Sequence, residues 1–188
     1  DENGKAIMVK KMGESLGVSK ICRSNTGEFY FAGSLNIRSK NIIDTTLLKR
    51  GDGSFFYGKL DQNLNLLWIK QTGNDSTSGV SVLTLSENHL YFICQTRDTT
   101  PIGSKTYYQK GIGSYYIFGE IDTDNGNIKW SDSYVKNNIS GRNHTLIGIL
   151  RLKGSVYIEG HASEYTSNGK MKLGSDTIIT GSFIVKLD

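Results

Sequence analysis

The segment "GSFFYGKLD", residues 53–61, recurs with small changes at two other places in the chain. It returns as "GSYYIFGEID" at residues 113–122 and as "GSFIVKLD" at residues 181–188. Each copy closes with Asp, and Asp1 begins the same register, so the Asp residues at 1, 61, 122 and 188 lie 60, 61 and 66 residues apart. A fixed period of this length indicates internal repeats. The chain therefore reads as three repeats cut at the same phase at both ends.

The segments of each repeat follow one another in a constant order. After the Asp come a turn, an apolar segment with Met8, Trp68 or Trp130, and a segment such as "GVSVLTLS" from Gly79. A second turn and an aromatic segment such as "LYFICQ" from Leu90 follow. Short runs of β-branched and aromatic residues between Gly, Asn, Asp and Ser are typical of strands and tight turns, and no stretch has helical periodicity. This predicts an all-β fold with four strands per repeat and room for a short fifth.

The composition fits a globular β protein. The 188 residues are 37% hydrophobic, 10% aromatic and 21% charged, with a formal net charge of +4, which is unlike a disordered chain. The short basic stretches lack interleaved aromatic residues, so we expect no nucleic-acid partner. The chain has no long apolar run, so we expect no membrane insertion.

The strand order fits a β-propeller, and a family resemblance supports it. The run "GSFFYGKLDQNLNLLWIKQTG", followed by "GVSVLTLSENHLYFICQT", resembles the SBBP-type β-propeller repeats of secreted bacterial and protist proteins. The resemblance covers essentially the whole chain. It departs from the family pattern where Ser24, Ser86 and Arg151 replace the usual Asp of the first strand, and where Gln95 replaces the Gly aligned as Gly33 and Gly160.

The resemblance implies how the chain divides into blades. Residues 17–78 form blade 1, residues 79–143 form blade 2, and residues 144–188 form an incomplete blade 3 that lacks its outer strand. Residues 1–16 supply an outer strand, within residues 4–13, to a last or preceding blade. Propellers have about four to eight blades, so three are too few. Either two chains complete one ring, or the three repeats belong to a longer propeller.

No arrangement of residues predicts catalysis, a metal or a cofactor. His89, His144 and His161 fall at non-equivalent positions of different repeats, and none has Glu or Cys at metal-ligand spacing. The run "DTDNGN" at residues 122–127 begins like a calcium loop but lacks the later ligating Glu. Its Asn-Gly pair between two strands favours a hairpin turn.

The cysteines and the glycosylation sequons bear on the compartment. Cys22 and Cys94 fall on non-equivalent strands, with Cys94 aligned to Ala32, so we expect two small buried residues and no disulfide. Possible N-glycosylation sites stand at three positions: Asn74, Asn138 and Asn143. Together with the family resemblance, they favour an extracellular or cell-surface location.

Two functional classes fit the sequence. The first is a non-catalytic scaffold that binds other repeats of a longer chain, a second copy of itself, or another protein. The second is a glycan-binding propeller that uses exposed tyrosines: Tyr107, Tyr108, Tyr115 and Tyr134. Tyr107 and Tyr108 align with Leu47–Leu48 and Ile178–Ile179, which indicates a packing position rather than a sugar site.

Overall fold

The computed structural model describes ten stretches of the chain: residues 16–35, 41–43, 46–48, 55–73, 77–108, 115–135, 143–163, 171–173, 176–178 and 181–187. Within them the protein is all-β, with antiparallel strands and no helix, as predicted. In the same stretches no helix is long and apolar enough to span a membrane. The expected outer strand at residues 4–13 lies outside the described residues.

Each repeat builds one main sheet and one short hairpin. The first repeat contains β1 (Leu16–Arg23), β2 (Phe29–Leu35), β3 (Asn41–Ile43), β4 (Thr46–Leu48), β5 (Phe55–Leu60) and β6 (Leu66–Thr72). The second contains β7 (Thr77–Ser86), β8 (His89–Thr96), β9 (Thr100–Ile102), β10 (Lys105–Tyr107), β11 (Tyr115–Ile121) and β12 (Ile128–Val135). The third contains β13 (Asn143–Leu152), β14 (Ser155–Ser163), β15 (Met171–Leu173), β16 (Asp176–Ile178) and β17 (Gly181–Leu187).

The main sheets are antiparallel meanders. The first sheet has the order β1-β2-β5-β6, the second β7-β8-β11-β12, and the third β13-β14-β17. The connection between the second and third strands of each sheet holds a two-stranded hairpin, namely β3–β4, β9–β10 or β15–β16. The weak signal for a fifth strand therefore corresponds to a hairpin of two short strands.

The Gly-Ser-aromatic segment recurs because aromatic rings lie over glycines on the neighbouring strand. Phe31 on β2 pairs with Gly58 on β5, and its Cζ lies 2.5 Å from where a Gly58 Cβ would be. The same pairing recurs between Phe92 and Gly119 in the second sheet. In the third sheet the strands exchange these roles, because Gly160 lies on β14 and pairs with Phe183 on β17. The absence of a side chain on each glycine gives the opposite ring its space.

The Asp that closes the segment caps the turn after the third strand. Asp61 Oδ1 accepts hydrogen bonds from the backbone N–H groups of Asn63 (2.8 Å) and Asn65 (2.7 Å). Asp122 Oδ1 accepts in the same way from Asp124 (2.9 Å) and Asn125 (3.1 Å). A short carboxylate bonding to the backbone two residues later stabilises a turn, which explains why the repeats share this Asp.

Two hydrophobic cores join neighbouring sheets. The first lies between the first and second sheets and includes Tyr57, Phe92 and Ile117. The second lies between the second and third sheets and includes Phe118, Ile149 and Ile158. The first strands also approach one another, because Ser19 Oγ on β1 donates to the Val80 carbonyl on β7 (3.3 Å). The second sheet is therefore packed on both faces.

The strand pairing corrects one alignment made from the sequence. Cys94 pairs with Ile117, as Gly33 pairs with Phe56 and Gly160 pairs with Phe183. Cys94, not Gln95, therefore stands at the glycine position, and its alignment with Ala32 is wrong by one residue. In a strand, a shift of one residue exchanges the two faces, so the sequence alignment placed these side chains on the wrong side of the sheet.

Candidate functional site

A polar cluster and a cavity lie where the second sheet meets the third. Glu120 on β11 pairs directly with Trp130 on β12 and with Tyr91 on β8, so three strands place their side chains together. Arg151, near the end of β13, reaches this cluster from the third sheet. The cluster therefore depends on the contact between two repeats, and neither repeat could form it alone.

Glu120 is the centre of the cluster and is only 5% exposed. Its carboxylate accepts hydrogen bonds from His89 Nδ1 (2.7 Å) and Trp130 Nε1 (2.9 Å), and Lys129 Nζ lies 3.3 Å away. Burial raises the pKa of Glu120, but the hydrogen bonds from His89, Trp130 and Lys129 outweigh this, so its pKa lies below the usual value. These donors favour the charged carboxylate, whereas a general acid at neutral pH needs a raised pKa.

His89 connects Glu120 to the third sheet. Because an arginine only donates hydrogen bonds, Arg151 Nη1 donates to His89 Nε2 (2.7 Å). The proton of His89 is then assigned to Nδ1, which donates to Glu120. Hydrogen bonds therefore connect Arg151 on the third sheet, through His89, to Glu120 on the second.

The β7–β8 turn provides further contacts to the third sheet. Ser86 Oγ donates to the Arg151 carbonyl (2.6 Å), and the Arg151 N–H donates back to Ser86 Oγ (3.1 Å). Glu87 accepts from the backbone N–H of Lys153 (2.9 Å), and one of its oxygens lies 3.6 Å from Arg151 Nε. The described polar groups of this junction thus pair largely with one another.

A cavity of about 500 Å³ opens beside the cluster, and we call it the junction cavity. It is lined by residues of both sheets: Lys105, Phe118, Glu120, Trp130, Ser131, Asp132, Arg151, Gly154, Val156 and Leu187. The lining combines two aromatic rings with two cations and two carboxylates, so it suits an occupant with both apolar and polar groups. Beside it, the buried Tyr91 hydroxyl has no hydrogen-bond partner among the described residues.

A second cavity lies between the first strands of the sheets. It measures about 380 Å³ and is lined mainly by β7 and β13, with Lys20 from β1. Lys20 is its one ionisable lining residue, so this cavity offers little specific chemistry.

The three histidines do not form a site. His89 belongs to the polar cluster, whereas His161 is exposed and lies 3.5 Å from Ser182 Oγ. The side chain of His144 lies outside the described residues. Across the stretches that the structure describes, no three His, Cys, Asp or Glu side chains are grouped to hold a metal ion.

The expected exposure of the tyrosines is wrong for two of them. Tyr115 and Tyr134 are buried, at 3% and 4% exposure, and Tyr134 packs between the second and third sheets. The Tyr107 hydroxyl donates to Ser131 Oγ (2.7 Å), so this ring packs on its own sheet. Tyr108 is 71% exposed.

The remaining sequence predictions concern cysteines, the Asp122 turn and glycosylation. Cys94 is buried and Cys22 half-buried, both are free thiols, and both contact the core between the first and second sheets. Burial raises the pKa of Cys22 to about 11 and that of Cys94 to about 12. Residues 122–127 form the turn between β11 and β12, as predicted. Asn74 and Asn138 lie outside the described residues, and Asn143 is the first residue of β13.

The sequence analysis missed Glu120 and Arg151 as cluster residues, although the repeats carry a signal for Glu120. Lys59, Glu120 and Lys186 each stand two residues before the closing Asp, so the second repeat alone has a carboxylate there. In the first sheet Lys59 Nζ pairs with Glu28 (2.8 Å). At the matching position of the second sheet, Glu120 instead pairs with His89 and Lys129. The change from Lys to Glu therefore indicates that this position has different partners in the second sheet.

Comparison with known proteins assigns this chain to no family. No protein-family model matches the chain, and no curated protein matches it significantly. The resemblance to SBBP-type repeats therefore stays a prediction from the motifs.

Proposed function

We propose that this chain is a non-catalytic, propeller-type scaffold that assembles with further repeats of the same kind, outside the cell or at the cell surface. The SBBP-type repeat pattern supports the propeller form and the location. The stacked sheets support assembly, because each repeat buries one face of its sheet against the next repeat. A scaffold of this kind uses its last exposed sheet face for the next contact.

The observation that carries this proposal is the exposed face of the third sheet. Tyr57, Phe118 and Ile184 each stand four residues before the closing Asp. Tyr57 and Phe118 are each 3% exposed because the following sheet covers them, whereas Ile184 is 72% exposed. On the same sheet Leu150 is 46% exposed. Apolar residues exposed together on one face indicate a surface for association.

Light scattering of the wild type over a range of concentrations tests this proposal. We expect a mass above the 20.8 kDa of one chain. Ile184→Lys places a charge on the exposed face and should shift the mass towards a single chain, because burying an unpaired charge opposes association. Tyr108→Lys is the matched control, since Tyr108 is 71% exposed but directly follows the β9–β10 hairpin, away from the third sheet. This variant should leave the mass unchanged.

The alternative is glycan binding through Tyr108. A wild-type chain that stays at the mass of one chain at every concentration would contradict the assembly proposal. The glycan-binding function would be favoured over assembly if the wild type is retained on a glycan array, Tyr108→Lys loses this retention and Ile184→Lys keeps it.

A further inference from the structure

The β11–β12 turn carries an asparagine followed by a glycine where the first and second sheets meet. Asn125 is exposed, whereas Gly126 is buried. The Tyr57 hydroxyl donates to the Gly126 carbonyl (3.0 Å), and Trp68 Nε1 donates to the Thr123 carbonyl (3.3 Å). We call these two hydrogen bonds the turn contact. The pair therefore joins an asparagine open to water to a glycine that binds the preceding sheet.

The glycine at position 126 is required by the ring of Trp68. A Cβ on Gly126 would lie 2.8 Å from Trp68 Cε3. The turn itself accepts a larger residue, because Leu64 occupies the matching place of the β5–β6 turn with a φ of 62°. The match is seen in the hydrogen bonds, since Leu64 N–H donates to the Asp61 carbonyl as Gly126 N–H donates to the Asp122 carbonyl. Packing between the sheets thus places a glycine directly after Asn125.

An asparagine followed by glycine is prone to deamidation, because glycine leaves its backbone nitrogen unshielded and rotates freely into the reactive conformation. The Gly126 nitrogen attacks Asn125 Cγ, so a new C–N bond forms and the bond from Cγ to the side-chain nitrogen breaks. The side-chain nitrogen leaves as ammonia with the proton that the Gly126 N–H gives up. Water then opens the cyclic imide at either carbonyl, which gives aspartate or isoaspartate.

Hydrogen bonds hold the reacting groups apart in the closed turn. The Gly126 N–H donates to the Asp122 carbonyl (2.9 Å), and Asn125 Oδ1 accepts from the Asn127 N–H (2.8 Å). Bringing Asn125 Cγ onto the Gly126 nitrogen requires rotation about the Asn125 backbone and side chain, which breaks both bonds. The bond from Tyr57 holds the glycine in place against this movement. The reaction therefore needs the turn contact to open.

We infer that Asn125–Gly126 is a deamidation site that the turn contact protects and that reacts when the first and second sheets separate. The isoaspartate product lengthens the main chain by one carbon atom. It therefore moves the Gly126 carbonyl away from Tyr57 and the Gly126 backbone away from Trp68. A transient opening of the contact is converted into a covalent change that prevents the contact from closing again.

Tyr57→Phe tests the protection. The variant and the wild type are incubated at mildly alkaline pH, and peptide mapping with an isoaspartate-specific methyltransferase gives the conversion at Asn125. We expect Tyr57→Phe to react about five- to thirtyfold faster, because loss of a buried hydrogen bond raises the opened fraction by this order. Tyr108→Phe, at an exposed tyrosine, is the matched control and should react at the wild-type rate.

Asn125→Gln tests the consequence for stability. Glutamine would have to close a larger ring, so the incubated variant should keep the urea midpoint that it had before incubation. The incubated wild type should unfold at lower urea in proportion to its isoaspartate at position 125. The variant retains the Asn-Gly pairs at residues 3–4 and 168–169, which lie outside the described residues, so their effect is the same in both proteins. Asn63, which precedes Leu64 in the matching turn, should remain unmodified.

Urea below the unfolding midpoint keeps the test independent of variant folding. It raises the opened fraction of the wild type and should speed the conversion at Asn125. A rate that does not rise with urea would overturn the inference, and so would equal rates in folded wild type and folded Tyr57→Phe.

Two further results would contradict the inference. One is a folded wild type that reacts at Asn125 as fast as the fully unfolded chain. The other is isoaspartate at Asn125 that leaves the urea midpoint unchanged. None of these outcomes depends on whether the chain associates, so the scaffold proposal stands or falls separately.

Discussion

At the scale of single residues, the glycines of the repeats are explained by the rings opposite them. Gly119 pairs with Phe92 across β11 and β8, and a Cβ there would lie 3.0 Å from Phe92 Cε1 and 2.9 Å from Ser131 Cα. The Trp130 carbonyl is closer still. Backbone atoms on one side and a buried ring on the other leave no direction in which the strand can relax.

We therefore expect Gly119→Ala to lower the free energy of unfolding by about 1–3 kcal/mol, the cost of overpacking a core. Gly17→Ala is the control, because the nearest atom to its Cβ would be Ser34 Oγ at 3.4 Å, an ordinary contact. That control should be neutral or slightly stabilising, since alanine restricts the unfolded chain. Urea unfolding followed by tryptophan fluorescence measures both. Equal midpoints for the two variants would refute this account of the glycine.

At the scale of elements, the β11–β12 turn holds two sheets together. It is capped by Asp122, and only Gly126 among its residues has a positive φ, of 76°. The two-residue type I′ turn needs positive φ at both central positions, so the Asn-Gly pair forms part of a longer turn. The conformation exposes the Thr123 and Gly126 carbonyls to the preceding sheet, which binds them through Trp68 and Tyr57.

Tyr57→Phe tests this contact with a change of one atom. Tyr57 is 3% exposed, and burial raises its pKa, so its hydroxyl stays a donor at neutral pH. Its loss leaves the Gly126 carbonyl without this donor, which should cost about 1–3 kcal/mol. Tyr108→Phe, at an exposed tyrosine, controls for the loss of a hydroxyl and should be neutral. Chemical denaturation of both variants at pH 7 gives the comparison, and a wild-type midpoint for Tyr57→Phe would contradict the contact's importance.

At the scale of the whole molecule, the sequence predicts the strands well and the contacts between sheets poorly. The period of Asp61 and Asp122 and the clusters of β-branched and aromatic residues are local signals, and they predict the order of the strands. The position of Cys94 was wrong because the hairpin turns differ in length by one residue. Ser24 N–H donates to the Glu28 carbonyl (2.8 Å) around a turn of three residues, whereas two residues separate Ser86 from its partner His89. Alignment of repeats does not reveal such a change when it falls among polar turn residues.

The polar cluster shows the same limit. Glu120 and Arg151 are distant in sequence and meet only because the second and third sheets pack together. No local sequence pattern therefore predicts that these two residues come together. Ile184 likewise occupies the position of the buried Tyr57 and Phe118, so the repeat pattern predicts a core residue. Only the three-dimensional arrangement shows that no described sheet covers it.

The cluster makes the junction between the second and third sheets sensitive to acid. The pKa of Glu120 is lower in the folded chain than its unfolded value of about 4.3, so its contribution to stability is fully present above that value. The contribution is lost as the pH falls through the lower, folded pKa. Glu120→Gln removes the charge that His89, Trp130 and Lys129 surround.

We expect the wild type to exceed Glu120→Gln in free energy of unfolding by about 1.5–3 kcal/mol at pH 7, the usual contribution of a hydrogen bond to a charged group. The difference should shrink between about pH 5 and pH 3, because protonation of Glu120 makes the wild type resemble the variant. Urea unfolding at several pH values measures the difference, and Asp124→Asn, an exposed carboxylate of the same sheet, controls for the change in net charge. A difference that stays constant across this range would mean that shape, and not the charge of Glu120, holds the two sheets together.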